Sequence, residues 1–315
     1  MTRPSVTTLI PAYNVGPLLA RAIDSALDQA DAAGRPIAQQ VIVVDDGSSD
    51  ATAAVAEGFG PRITLIRQSH AGVAAARNAG LRAARGDVVA FLDADDQWLR
   101  GKLDAQLALF EREPTLVLVA CDAEFVDRQD RVELASFLAS RRCHGQLPRE
   151  PGRIDRAATL LALEPLLTTS GVVARRGAIG AAGEFDPTLV LCEDRDLWLR
   201  LACRGPVGIV PRVGVRYFSG RTGSLFTEAT TRQWVGAIRR LLMKNRRALA
   251  GAFAAEGEHP RDVFSRAFVR LAMQGLRAGQ VDVAAGCLVD ALRLGSLPWI
   301  LRQSWTALGR AVSRA

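Results

Sequence analysis

The sequence of 315 residues predicts an α/β fold, a mainly parallel sheet flanked by helices, with an α-helical C-terminal appendage. Three observations carry this expectation. Short β-branched and aliphatic runs recur at 6–10, 41–44, 63–66, 88–92 and 116–120. Helical patterns of about 10 to 15 residues alternate with them, as βαβ units require. Beyond residue 228 the apolar spacing is helical throughout.

Val6-Thr7-Thr8-Leu9-Ile10 reads as a buried strand stopped by Pro11. Leu18, Leu19, Ala22, Ile23, Ala26 and Leu27 mark a helix over 17–31. Val41–Val44 is a second strand, running into Asp45-Asp46-Gly47-Ser48-Ser49-Asp50. There Ser48 or Ser49 is placed to cap a helix that reaches Glu57. Ile63–Ile66 is a third strand, and the Ala-rich stretch 72–84 is helical until Gly86 breaks it. After the strand at 88–92, Trp98, Leu99, Leu103, Leu107 and Phe110 predict a helix closed by Pro114, and Leu116–Ala120 a further strand. The pattern from 125 to 165 is weak and reads as a variable insertion. A helix over 197–202 and a strand over 207–210 follow. In the C-terminal part, Ala278-Gly279 separates two helices, an αα-hairpin similar to a tetratricopeptide-type unit. One such unit is too few for an array. The expected division is an α/β domain over 1–227 and a basic helical region over 228–315.

Hydrophobic residues make up 49% of the chain, enough for a substantial core. No stretch approaches the roughly 18 uncharged apolar residues that span a bilayer, and the N-terminal residues lack a signal-peptide apolar region. Five scattered cysteines, without a C-x-x-C pair, argue against a disulfide framework and a cysteine zinc site. A reduced, cytoplasmic chain fits. The net charge of +7 is uneven: residues 228–315 hold 14 basic and 6 acidic side chains, so the whole positive excess is C-terminal. Arg239, Arg240, Lys244, Arg246 and Arg247 accompany Trp234, Ile238 and Leu241, a pattern suited to peripheral contact with the inner face of a membrane. The alternative is a helical cap packed on the α/β domain with its arginines in solvent. No nucleic-acid partner is expected.

The run Val88-Val89-Ala90-Phe91-Leu92-Asp93-Ala94-Asp95-Asp96 carries most of the chemistry. Unpaired ionised carboxylates are too costly to bury, so a strand ending in D-x-D-D must open at its carboxyl end. Carboxylates gathered there suit a hard divalent cation, and Mg2+ is usually held by one or two of them plus substrate phosphate oxygens. Asp45-Asp46 also follows a strand C-terminus. In parallel sheets ligands bind outside those ends, so both clusters should face one crevice.

Thr8–Asn14, Val43–Asp50, Gly72–Gly80 and Phe91–Asp96, taken in order, closely resemble glycosyltransferase family 2, inverting sugar-nucleotide enzymes with the GT-A fold. Cys192-Glu193-Asp194-Arg195-Asp196-Leu197-Trp198 resembles that family's E-D motif. The resemblance covers about residues 4 to 225. It implies a GT-A fold and transfer from a nucleoside-diphosphate sugar, most often a uridine one. It also implies Mn2+ or Mg2+ on the diphosphate and a glycan or lipid-linked acceptor, to which the insertion would contribute.

Residue roles follow from the same resemblance. Pro11, Ala12 and Tyr13 would pack the nucleotide base, with Tyr13 stacking on it and Asp45 or Asp46 accepting its imide N–H. Asp93 would contact the ribose or uracil side, Ala94 would line the donor site, Asp95 would ligate the metal, and Asp96 would support the metal or the sugar. Arg77 suits the base or diphosphate. Asp194 is the expected general base, with Glu193 second and Asp196 a further rival. Plainer readings stand beside these: Tyr13 as a core aromatic, Asp45-Asp46-Gly47 as turn residues, Arg77 as a solvated arginine, and Asp95 or Asp96 as a helix N-cap. His70 reads as ordinary. Many relatives place a His before a Gly-Ser pair late in the domain. Here Tyr217-Phe218-Ser219-Gly220-Arg221-Thr222-Gly223-Ser224 has none, and Arg221 could bind diphosphate instead. Two other readings are a non-catalytic sugar-nucleotide-binding scaffold and a sugar-1-phosphate nucleotidyltransferase. The latter lacks its basic phosphate loop after the first strand.

Overall fold

In the computed structural model, which describes residues 3–127, 129–219 and 230–295, strand β1 (Val6–Ala12) is buried along its whole length. It pairs in parallel with β2 (Gln39–Asp45) on one side and β4 (Val88–Phe91) on the other, and β3 (Thr64–Arg67) lies outside β2. Pro11 does not stop β1. Pairing with β4 ends at Leu9 opposite Phe91, and Leu9 accepts its bond from that side through Leu92 N–H. Two residues on, the missing Pro11 N–H faces no strand, where proline is tolerated.

The sheet is mixed, as the resemblance to the GT-A fold implies, where the strand–helix alternation alone pointed to a mainly parallel one. Antiparallel β9 (Val173–Arg175) inserts between β4 and β6 (Leu118–Val126), and β10 (Val207–Phe218) runs parallel to β6. The order is β3-β2-β1-β4-β9-β6-β10-β5, with β5 (Gln97–Trp98) at that end, β7 (Val132–Leu134) on β6 and β8 (Gly152–Arg153) on β10. A three-residue strand carries no periodicity, so β9 left no trace in the apolar pattern.

Alternation along the strands sends Ile10, Val41 and Val43 to one face and Leu9, Ile42 and Val44 to the other. The first face is covered by α1 (Leu18–Leu27), α2 (Thr52–Glu57) and α4 (Lys102–Arg112), the second by α3 (Val73–Ala83), α5 (Ala157–Leu163), α6 (Arg176–Ala182) and α7 (Glu193–Ala202). α3 lies so close to β1 that a Cβ at Gly80 would sit 2.0 Å from Leu9 Cδ1. Two expected caps are corrected. α4 begins four residues later than Trp98, after Gly101 in the left-handed region, so neither Asp95 nor Asp96 caps it. α2 begins after Ala51. Ser48 Oγ instead accepts the Asn14 N–H at 3.0 Å, and Thr52 Oγ1 accepts those of Val15 and Gly16. The region 125–165 is also more ordered than its pattern suggested: it holds β7, β8 and α5, and buries Leu138, Cys143, Leu147 and Ile154.

α8 (Thr231–Ala255) opens with a capping box between Thr230 and Gln233 and is followed by the hairpin of α9 (Pro260–Arg277) and α10 (Val281–Leu294). Val235, Leu241, Leu242, Leu249 and Phe253 join one core with Leu160, Leu161, Leu197 and Leu201 of α5 and α7. Trp234 and Ile238 pack against that core too. Of the two readings of α8, its apolar side packs as the helical cap on the α/β layers, while Arg240, Arg246 and Arg247 are exposed. Among the described residues no helix is long and apolar enough to cross a membrane.

Asp196 anchors this junction. Fully buried, it accepts from Arg200 at 2.8 Å, Asn245 at 2.7 Å and Lys244 at 3.2 Å. It points at α8 and away from the strand ends, which removes it from the rivals for the base. Asp196→Ala removes the acceptor these three donors share, though Lys244 keeps Asp186 and Arg200 and Asn245 keep backbone carbonyls, and a cost of about 2 kcal/mol is expected. Urea unfolding measures it; a loss below about 1 kcal/mol would mean the junction does not rest on this carboxylate.

Candidate active site

The carboxyl ends of β1, β2 and β4 and the start of α7 converge. Ser170, in the turn before β9, joins two parts of the acidic run: its Oγ accepts the Asp93 N–H at 3.0 Å and donates to Asp96 Oδ2 at 2.5 Å. Its neighbour Thr169 donates to Asp194 Oδ2 at 2.8 Å. One dipeptide thus fixes the spacing between the D-x-D-D run and the candidate base. Trp98 Nε1–H holds the Ser170 carbonyl at 2.8 Å from below.

Arg77 reaches the same place from α3. It is 3% exposed, donates to Asp93 at 2.7 Å and to Glu193 at 2.7 Å, and lies over the Phe185 ring. A solvated surface arginine is therefore ruled out. Glu193 and Asp194 occupy the first turn of α7, where the helix dipole favours negative charge.

Burial and the adjacent Asp194 push the Glu193 carboxyl up to about 7, against the downward pull of Arg77. Burial, then repulsion from Asp95 and Asp93, raises Asp96 well above the ordinary carboxylate range. Tyr217, near the end of β10, is also pushed up, first by its burial and then by Asp96, Asp93 and Asp95. This negative potential is what a divalent cation would relieve. Among the described residues no three His, Cys, Asp or Glu side chains form a ready cage. The arrangement fits an ion held by one or two carboxylates with the remaining positions left to phosphate oxygens and water.

At the end of β2, Asp46 is 3% exposed. It accepts from Gln68 Nε2 at 2.6 Å and the N–H groups of Ala71 and Gly72 at 2.9 and 2.8 Å, with His70 Nδ1 at 2.9 Å. Four donors fill a carboxylate's usual capacity, so Asp46 shapes its own loop and fits poorly as acceptor for a base. Asp45 accepts the Ser48 N–H at 3.1 Å. Gly47 is required here: φ is +76° and a Cβ would meet His70 N at 2.8 Å.

Tyr13, exposed at the crevice mouth, stacks on His70 with ring centroids 4.0 Å apart and planes 20° from parallel. It is not a core aromatic. His70, read as ordinary, belongs to this platform; its one sequence signal was its position just before the Gly72 turn. Thr169 and Ser170 had no signal at all. Pro11 and Ala12 line the β1 end, Ala94 is buried inside the acidic run, and Phe218 N–H lies 3.4 Å from Asp96. Arg221 lies outside the described residues.

The fold is of the GT-A type, and the carboxylates gather where that fold opens. The profile of Glycosyl transferase family 2 matches residues 7–170, more than half of the chain, and the chain belongs to that family. It is 44% identical over 95 residues to the succinoglycan biosynthesis protein ExoO of Rhizobium meliloti (strain 1021), covering 30% of this chain and 26% of that protein. A longer match, 29% identical over 242 residues, covers 73% of this chain and 72% of the uncharacterized protein MT1568 of Mycobacterium tuberculosis (strain CDC 1551 / Oshkosh). The first curated relatives are matched over only about a quarter to two-fifths of their length.

Solved structures share the fold. Mannosyltransferase PcManGT from Pyrobaculum calidifontis, in complex with GDP-Man and Mn2+, superposes with a TM-score of 0.59 at 20% identity, over 100% of this chain and 82% of that one. S. aureus TarS 1-349 in complex with UDP-GlcNAc gives 0.61 at 14% identity, over 93% of each chain.

Proposed function

We propose that the protein is an inverting glycosyltransferase that moves a sugar from a nucleoside-diphosphate donor, expected to be a uridine one, to a glycan or lipid-linked hydroxyl. The observation that carries this reading is the Thr169-Ser170 dipeptide, which holds Asp194 and the D-x-D-D run in one site. Asp95, supported by Asp96, is the proposed holder of Mn2+ or Mg2+, which when bound neutralises charge on the departing diphosphate.

Asp194 then takes the proton of the acceptor hydroxyl as its oxygen attacks the anomeric carbon. The bond from that carbon to the diphosphate oxygen breaks on the opposite face, so configuration inverts without a covalent intermediate. Tyr13 and His70 offer the base a stacking surface, with Asp45 at the β2 end as acceptor. Arg77 acts as a positioning residue, orienting Asp93 and Glu193 rather than touching the donor. The insertion at 125–165 is proposed to contribute to the acceptor side. Nucleoside diphosphate release from a donor panel tests the reading. Tight nucleotide binding without turnover on any donor would favour the non-catalytic scaffold.

A pH dependence follows from Glu193. Below about 7 it is protonated and its salt bridge to Arg77 is lost; above, that salt bridge holds beside the one from Arg77 to Asp93. We expect kcat/KM to rise with pH through this region and Glu193→Gln to remove the inflection. Stability runs the other way. Between the ordinary 4.5 and about 7 the folded chain binds more protons at this group than the unfolded chain, so its contribution falls as pH rises. A profile flat through pH 7 would contradict the assignment.

A further inference from the structure

A second cavity, of about 90 Å³, opens where the 142–164 segment meets α9, and none of the residues proposed for donor or catalysis lines it. Its charged lining is Arg142, Arg156, Arg266 and Arg270 against Glu164 and Glu258. Both carboxylates are already engaged. Glu258 is held by Arg156 at 2.6 Å and Arg266 at 2.5 Å, and Glu164 accepts from Arg270 at 3.1 Å and from the Arg142 N–H at 2.9 Å. Behind the wall Glu256 accepts the Ala158 and Thr159 N–H groups, and four guanidinium groups against these three carboxylates still leave a positive excess.

Two buried donors here lack an acceptor among the described residues: Thr159 Oγ1, on a side chain 1% exposed, and Arg266 Nε. Thr159 is not loosely placed, because Glu256 of the C-terminal region holds its N–H at 3.0 Å. Buried donors left without acceptors are costly. Water could satisfy them but would not balance the charge. One water takes about 30 Å³ in the liquid, so the cavity has room for a tetrahedral oxyanion. Such a group supplies acceptors only, and guanidinium forks match its geometry.

We propose that this cavity binds a phosphate group, separate from the donor diphosphate, and that the bound group ties the insertion to α9. It would sit one helix away from the candidate base. α5 presents Thr159 to the cavity, while its Leu161 and Ala162 carbonyls accept from Arg195, next to Asp194. The phosphate can be dissolved or carried on a glycan or lipid; the chemistry recognised is the same.

The test is calorimetric titration of inorganic phosphate into the full chain in EDTA without donor, so it does not depend on the transferase reading. One saturable site is expected in the wild type. Loss of one charge-assisted hydrogen bond should weaken it roughly ten-fold or more in Thr159→Val and in Arg266→Gln. Asp95→Asn should bind as the wild type does. Thermal melts establish that each variant is folded, and Thr159→Val, nearly isosteric, decides if Arg266→Gln is not.

Absence of saturable binding, undiminished affinity in the folded variants, or loss confined to Asp95→Asn would overturn the proposal. Sedimentation with phosphatidylcholine vesicles, with and without phosphatidic acid, separates the sources. Acid-dependent binding that falls in Thr159→Val assigns a lipid phosphate. Phosphate binding without vesicle binding assigns a dissolved or glycan-borne one.

Discussion

Asp194→Asn is expected to lower turnover by about 100- to 10,000-fold, the range that general-base catalysis contributes, with nucleotide affinity within a few-fold of the wild type. The amide keeps the size of the side chain and can still receive the Thr169 hydroxyl bond through its oxygen. What it loses is the ability to take a proton. Steady-state release of nucleoside diphosphate measures turnover, and calorimetric titration of the nucleotide measures binding. Thr169→Val should give a smaller loss, about ten-fold, because the carboxylate remains but its orientation is freed. Full turnover by Asp194→Asn would move the base elsewhere, with Glu193 the next residue to examine.

Arg77→Met is expected to have the largest effect on the fold of the site. It leaves Asp93 and Glu193 without the guanidinium that both face at 2.7 Å. Removing one partner from a buried ion pair typically costs about 3–5 kcal/mol. Glu193 can escape part of that cost by binding a proton, since burial and Asp194 already push it up to about 7. The loss should therefore be smaller at pH 6 than at pH 8, and the double variant Arg77→Met with Glu193→Gln should recover part of it. Arg77→Lys should not restore activity, because one ammonium cannot span two carboxylates as the fork does. Chemical unfolding at the two pH values gives the energies. A pH-independent loss would mean that Glu193 does not carry the strain.

The strands that build the crevice were legible because burial on both faces leaves near-continuous apolar runs: Val6–Ile10, Val41–Val44 and Val88–Phe91 all appear in the sheet. The acidic clusters were legible for the complementary reason, since carboxylates directly after such runs must sit at open strand ends. What stayed hidden depends on contacts across long sequence distances. Nothing local to Arg77 reveals partners 16 and 116 residues away, so its burial could not be read. Asp194 and Asp196 looked alike as rivals until the helix turned one toward Thr169 and the other toward Asn245 of α8. Ser170 is a hydroxyl in an unremarked turn, and only the fold brings it between Asp93 and Asp96. The apolar residues of α8 carried the right amphipathic period, but period alone does not say whether that side meets lipid or the protein's own core.

The central claim is that the D-x-D-D run acts on a metal-bound diphosphate, and donor turnover measured as UDP release from UDP-sugars in Mn2+ or in EDTA tests it most directly. The expected result is release in Mn2+, near-complete loss in EDTA that is restored by added Mn2+, and loss in Asp95→Ala at every metal concentration. Release that is equal in Mn2+ and EDTA, or unchanged metal dependence in Asp95→Ala, would contradict it.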